Sequence, residues 1–210
     1  MNSKQSIFLF GEDHLSAGKA LEIARGILEV KVSEKTWERV RKSQLTVENI
    51  VKKGEPVYGI NTGFGPLCTT KISKEETKIL QMNILQSHSV GVGEAVSSEI
   101  SKLMLILKAH SLAKGYSGIA EPTLKRILWH LENDAIPVVP SQGSVGASGD
   151  LAPLSHLFLP LIGLGKVVFH GEEITTSQLF ERTGLKAIEL GPKEGLALIC
   201  LLYTSDAADD

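Results

Sequence analysis

Cysteine is almost missing from these 210 residues. There are two, Cys68 and Cys200, far apart and in no CxxC or metal-ligand spacing. So sparse a set excludes a disulfide framework and points to a reducing compartment. An excess of one charge is missing too: 22 basic residues stand against 24 acidic ones, a net of −2. That balance gives no electrostatic footprint for nucleic acid or an anionic membrane surface. The longest apolar stretch, 151–169, is broken by His156, Lys166 and two glycines. It falls short of the roughly 20 apolar residues that a membrane span needs. Near the start only the four-residue run Ile7-Phe8-Leu9-Phe10 is apolar, too short for a signal-peptide core. A soluble cytoplasmic protein is expected. His14, His110, His130, His156 and His170 show no metal spacing and read as structural or surface residues. The many glycines form no phosphate loop, because no Gly-Lys-Ser/Thr follows them. The run Gly91 to Val96 lacks the third glycine of a dinucleotide fingerprint and lies in a helical context.

What the chain does have is a hydrophobic content of 42%, ordinary for one globular core, and a helical pattern. Ser16 can cap a helix through Leu21, Ile23, Ala24, Ile27 and Leu28. Ser33 opens a second through Trp37, Val40, Val47, Ile50 and Val51, ended by Gly54 and Pro56. Ser73 and Glu76 form a capping box before Ile79, Leu80, Ile84 and Leu85. Ser97 or Ser98 starts a Leu-rich helix that stops at Gly115, and Pro122 suits the first turn of one ending near Asn133. Residues 151–162 are nearly all apolar and predict a buried helix. Residues 166–174 predict a small hairpin turning at His170-Gly171, with a short helix from Thr176. The fold class is mainly α with one small β-hairpin.

Two loops interrupt this regularity, 58–67 and 138–150, both dense in Gly, Asn, Ser and Pro. The second contains Ala147-Ser148-Gly149. Attack of the Gly149 nitrogen on the Ala147 carbonyl carbon closes a five-membered ring. Loss of water from that ring, and of the Ser148 hydroxyl as water, leaves a methylidene-imidazolone. Its electron-poor alkene is something no ordinary side chain offers. Gly149 has no Cβ to hinder the fold-back, Ser148 carries a β-hydroxyl to eliminate, and Ala147 is small. Alone, such a tripeptide is also ordinary flexible-loop material.

The run Gly143-Ser144-Val145-Gly146-Ala147-Ser148-Gly149-Asp150-Leu151-Ala152-Pro153-Leu154-Ser155-His156 resembles the signature of the aromatic amino-acid ammonia-lyase family. Two more segments resemble that family in the expected order. They are Tyr58-Gly59-Ile60-Asn61-Thr62-Gly63-Phe64-Gly65-Pro66-Leu67 and Leu85-Gln86-Ser87-His88-Ser89-Val90-Gly91-Val92-Gly93-Glu94. The resemblance runs from about Ile7 to Ile199. It implies the amino-terminal part of an ammonia-lyase-type helical fold with Gly-rich active-site loops. It also implies non-oxidative removal of ammonia from an L-amino acid, with no external cofactor because the electrophile is built from Ala147, Ser148 and Gly149. Either the substrate amine or its aromatic ring adds to that electrophile.

By the same resemblance Tyr58 is the general base for the β-hydrogen. A free tyrosine titrates at roughly 10, so the role requires nearby positive charge or helix N-termini. The alternative is a loop tyrosine with a hydrogen-bonded hydroxyl. Ser87-His88 resembles the histidine-specific type, whereas tyrosine- and phenylalanine-specific relatives resemble His-Leu and Phe-Leu there. His88 then binds the substrate ring with Ser87 in support, giving urocanate and ammonia from L-histidine. Without the resemblance, His88 reads as a histidine capping a helix end near Gly91. Asn61 binds the substrate carboxylate or shapes its loop. Asp150 assists cyclisation, caps the helix from Leu151, or does both. The family resemblance further implies a homotetramer and a chain more than twice this long. The alternatives are a phenylalanine or tyrosine ammonia-lyase, an aminomutase on the same scaffold, or an inactive truncated product. From Cys200 onward the Asn-Gly-Thr-Gln expected of the family is replaced. The expected organisation is therefore an amino-terminal portion, 1–199, and an unrelated tail, 200–210. Such a portion exposes apolar surface that a longer chain buries.

Overall fold

Helices begin where a short side chain can take the first free amides. In the computed structural model, which describes residues 7–54, 56–62 and 74–201, strand β1 (Ile7–Leu9) precedes α1 (Ala17–Ala24). The Ser16 hydroxyl oxygen accepts the Lys19 N–H at 3.3 Å. This helix is shorter than expected: left-handed Gly26 (φ 70°) turns the chain before Ile27 and Leu28 can join it. Strand β2 (Glu29–Lys31) pairs in parallel with β1. Helix α2 (Glu34–Lys53) starts at Ser33, whose oxygen accepts the Thr36 N–H, and ends at left-handed Gly54. The Ser73 capping box, motif residues 63–67, Cys68 and the chain from residue 202 lie outside the described residues.

Next come α3 (Lys74–His88), strand β3 (Val92–Ala95), α4 (Ser98–Ala113) and α5 (Glu121–Glu132). Of the two candidate serines, Ser97 caps α4, taking the Ile100 N–H at 3.3 Å. Two short strands, β4 (Ile136–Pro137) and β5 (Pro140–Gln142), lead to the 143–150 loop. The buried segment 151–162 is not one helix. It is α6 (Leu151–Phe158) followed by a 3-10 turn, Leu159–Ile162, because Pro160 has no N–H to continue the α-helical ladder. The expected hairpin is β6 (Lys166–Phe169) with β7 (Glu172–Thr175), turning at His170 and Gly171, both at positive φ. Helices α7 (Thr176–Thr183) and α8 (Glu194–Ile199) follow.

Strands are more numerous than one hairpin predicts. β4 adds to β6 in a three-stranded antiparallel sheet, and β3 pairs antiparallel with β5. Residues 92–95, placed in a helical context by the sequence, are therefore extended. Segments of two to four residues are too short to show a period of two, so pairing partners decide them.

The core is helical. Leu154, Leu157 and Phe158 of α6 are buried with Ile84 and Leu85 of α3, Leu105, Ile106 and Leu112 of α4, and Leu196–Ile199 of α8. A second cluster joins Val167, Phe169 and Ile174 of the hairpin to Leu179 of α7.

Helix α5 has Ala120 at its N-cap and no side-chain cap of its own. Buried Glu194, at the start of α8, serves instead. Its carboxylate accepts the Ala120 N–H at 3.0 Å and the Gly191 N–H at 2.6 Å. In a capping box a glutamate inside the helix performs this service for the N-cap amide; here it comes from a distant segment. Glu194→Ala should leave both amides without this acceptor and lower stability by about 2–4 kcal/mol. Urea unfolding should show a lower midpoint at unchanged slope, and an unchanged midpoint would remove this role.

Candidate active site

The Gly-rich loop leaves β5 at Gly143, which has φ 133°, and enters a 3-10 turn, Gly146–Ser148. The Ser148 N–H donates to the Val145 carbonyl at 3.0 Å, and the Gly149 N–H to Gly146 at 3.0 Å. The Ser148 hydroxyl also donates to Val145, at 2.8 Å. Gly149 is left-handed (φ 82°), as is Asp150 (φ 57°). A 3-10 turn advances about 2.0 Å per residue, against about 3.3 Å in a strand. The tripeptide is thus compact rather than extended. Ala147 and Ser148 are exposed, while Gly149 is buried at the foot of the turn. These residues fit the chemistry of ring closure.

Asp150 occupies the N-cap position of α6 but makes no capping bond. Its left-handed backbone differs from the extended geometry of a usual N-cap. Instead the Ser144 hydroxyl donates to the Asp150 carboxylate at 2.6 Å, tying the two ends of the loop together. Of the two roles weighed for Asp150, helix capping is not observed.

Ser87 and His88 close α3. The His88 Nδ1 lies 2.8 Å from the Ile84 carbonyl, and a carbonyl can only accept. Nδ1 therefore carries the proton, and Nε2 is the acceptor nitrogen. The Ser87 hydroxyl lies 3.1 Å from the same Nδ1. His88 does cap its helix end, and that bond also sets its ring.

Three residues beyond His88 the chain meets the loop. Val92 pairs with Gln142 and Ala95 with Pro140. Just before that pairing the two backbones touch: a Cβ at Gly143 would stand 3.0 Å from the Gly91 Cα, and one at Gly91 would stand 3.1 Å from the Gln142 carbonyl oxygen. A side chain at either position would make this approach tight, and at Gly143 the positive φ would strain it as well. The Gly91 N–H donates to the His156 Nε2 at 3.0 Å. The structure thus brings the 87–95 and 140–156 segments together directly.

Tyr58 comes from a separate turn and is 45% exposed. Asn61 is buried and shapes that turn. Its Oδ1 accepts the Val57 N–H at 2.8 Å, beside backbone bonds from Ile60 and Asn61 to Val57. Among the described residues no group of three or more His, Cys, Asp or Glu side chains could hold a metal. No described helix is long and apolar enough to cross a membrane.

His156, expected to be structural or surface, bonds the backbone that joins two motifs. Its place in the apolar run 151–162 was the available signal, because a polar side chain there needs a partner. Lys108 interrupts the apolar run of α4 and is 2% exposed, its Nζ donating to the Cys200 carbonyl at 3.0 Å. It lines a cavity of about 500 Å³ with Met104, Leu107, Ser144, Asp150 and Leu201. Leu107, Val92 and Val145 stand exposed around this region.

This architecture is that of the ammonia-lyases and aminomutases. A tyrosine aminomutase from Streptomyces globisporus superposes with TM-score 0.83 at 32% identity, covering 91% of this chain and 36% of that one. A histidine ammonia-lyase from Trypanosoma cruzi superposes with TM-score 0.83 at 31% identity, covering 92% and 38%. The chain belongs to the aromatic amino acid lyase family, whose profile matches residues 15–200. Among curated relatives, the histidine ammonia-lyase of Symbiobacterium thermophilum is 45% identical over 186 residues, 89% of this chain and 37% of that protein. The chain spans little more than a third of the length of such relatives.

Burial pushes the Lys108 ammonium down to about 7. Below that pH the lysine is charged in both folded and unfolded chains, and its cost to folding is constant. Above it the folded lysine is neutral while the unfolded one stays charged up to about 10.4. The unfolded chain then binds more protons, so this residue makes stability rise with pH between those limits, by up to about 1.4 kcal/mol per pH unit. Lys108→Met should flatten that rise. Urea midpoints should favour the variant most near neutral pH and progressively less toward alkaline pH. A parallel pair of curves would show that Lys108 titrates normally.

Proposed function

We propose that this chain carries the electrophile-forming region of a histidine ammonia-lyase, which releases ammonia from L-histidine and leaves urocanate. The observation that carries the reading is the tight turn at Ala147-Ser148-Gly149, in a loop whose base pairs with the strand that follows Ser87-His88. The high identity to curated proteins of that name supports the substrate.

In this reading Ala147, Ser148 and Gly149 form a methylidene-imidazolone, and no external cofactor takes part. That group would supply an electron-poor alkene, an acceptor for the substrate's neutral amine or for its aromatic ring, and so ease the departure of ammonia. Tyr58 removes the β-hydrogen. His88, its Nδ1–H held by Ile84, presents Nε2 as acceptor to the substrate imidazole N–H. Ser87 steadies that ring, and Asn61 binds the substrate carboxylate. Asp150, through Ser144, keeps the loop drawn in. The working enzyme is a cytoplasmic homotetramer of chains as long as the relatives. The 210 residues alone are then inert toward histidine.

Peptide mass analysis tests the ring. The peptide containing Ser148 should be lighter by two water molecules, and Ser148→Ala should restore the full mass. A peptide of full mass in the unaltered protein would end the reading. In an active chain of the relatives' length, Tyr58→Phe should lower turnover by about 10²–10⁴-fold, the usual weight of a general base. Replacing Ser87-His88 by Phe-Leu should weaken histidine use, because it removes the polar partner of the imidazole. Release of urocanate, coumarate or cinnamate from histidine, tyrosine or phenylalanine separates this reading from the other lyases. Recovery of a β-amino acid instead would identify an aminomutase.

A further inference from the structure

Three segments converge on the Gly91 backbone. The first is its own, which carries Ser87 and His88. The second is the Gln142-Gly143 end of β5, immediately before the ring-forming loop. The third is α6, immediately after that loop, which sends His156 to the Gly91 amide. Backbone contact joins the first two, and one side-chain hydrogen bond joins the first and third.

We propose that His156 is a positioning residue: it fastens the far end of the 143–150 loop to the segment that follows the substrate-selecting pair at the end of α3. Besides this bond, the loop is tied to that region through β5 at its near end and through the packing of α6 on α3 at its far end. With the bond, both ends of the loop are referred to Gly91. Gly91 lies three residues past His88 and four residues before the close of the β3 pairing. The same bond therefore sets where His88 stands relative to Ser148.

The chemistry of the contact is specific. A backbone N–H donates and cannot accept, so the His156 Nε2 must hold a lone pair and Nδ1 must carry the proton. Burial favours this neutral form by lowering the pKa of the imidazole. The neighbours of His156 on α6, Ser155 and Leu157, are buried, so the ring extends from a fixed helix rather than from a mobile arm. A Cβ at Gly91 would come within 3.2 Å of the imidazole, so a side chain there would crowd the contact. Two reacting atoms of one loop gain most from being held close beforehand. Referring both loop ends to one amide is a way of holding them.

Two variants and two readouts test this. His156→Gln keeps an acceptor oxygen at the reach of Nε2; His156→Leu has none. In the full chain, amide hydrogen exchange is followed at Gly91 and at Asp150, whose N–H donates to Val145 across the loop. Both amides persist whether or not the ring forms. His156→Leu should speed exchange at both by about 10-fold or more, the usual weight of one buried hydrogen bond. His156→Gln should restore most of the protection, and buried α4 amides such as Leu105 should be unaffected by either. Equal protection at Gly91 in the unaltered chain and His156→Leu would overturn the contact. Uniform loss across α4 would show a merely structural residue.

The second readout, ring content from the doubly dehydrated peptide, rests on the proposed function. It should fall in His156→Leu and return in His156→Gln. Ring content that survives in His156→Leu while Gly91 protection is lost would overturn the positioning role. A ring missing from the unaltered protein would instead overturn the proposed function, and the exchange result would still decide the role of His156.

Discussion

The burial of α6 is the constraint on which the site depends. Leu154, Leu157 and Phe158 are almost wholly withdrawn from water, against α3 on one side and α8 on the other. Burying each such side chain contributes roughly 1.5–3 kcal/mol. The helix cannot slide or turn without losing several of these contacts together. The 143–150 loop ends where this helix begins, so an exposed and glycine-rich turn inherits a fixed far end. His156 and Asp150 then have fixed origins, and their short-range bonds can act on the loop.

Around that anchor the loop combines two opposite requirements. Its backbone must enter conformations that side chains resist, at Gly143 and Gly149, and even Asp150 accepts a positive φ. Yet it must not wander, because reacting atoms a few residues apart must stay close. Pairing between β3 and β5, the Ser144–Asp150 bond and the Gly91–His156 bond all act at its base. Among the described residues the apex keeps its own turn bonds. Local freedom is thus confined to the residues that use it. The buried Lys108, beneath the adjoining cavity, shows the electrostatic side of the same place: a cation withdrawn from water beside apolar walls.

Helix beginnings were legible because caps are local. Ser16, Ser33 and Ser97 each accept the amide three residues on, and Thr175 with Gln178 completes a reciprocal box. Helix ends were less so. Left-handed Gly26 cut α1 short, and Pro160 split the segment 151–162. The β-turn at His170-Gly171 was legible, while β3 and β5 were not, since strands of three or four residues carry no pattern of their own. At the site the tripeptide, Tyr58 and the Ser87-His88 pair stood out by residue type and order. His156 and Lys108 did not, because their importance lies in what they touch.

The chemistry was written in the chain. A removable Ser148 hydroxyl beside the unhindered Gly149 nitrogen is what the proposed ring closure needs, and both are read from covalent structure alone. The family followed from three motifs in order. The three-dimensional structure decided how those motifs relate. It showed that Gly91 and Gly143 pass within contact, that Asp150 binds Ser144 instead of capping its helix, and that His156 answers an amide 65 residues earlier. Such meetings depend on how helices pack across the core. No local run of residues encodes that packing, because its energy comes from surfaces far apart in the chain.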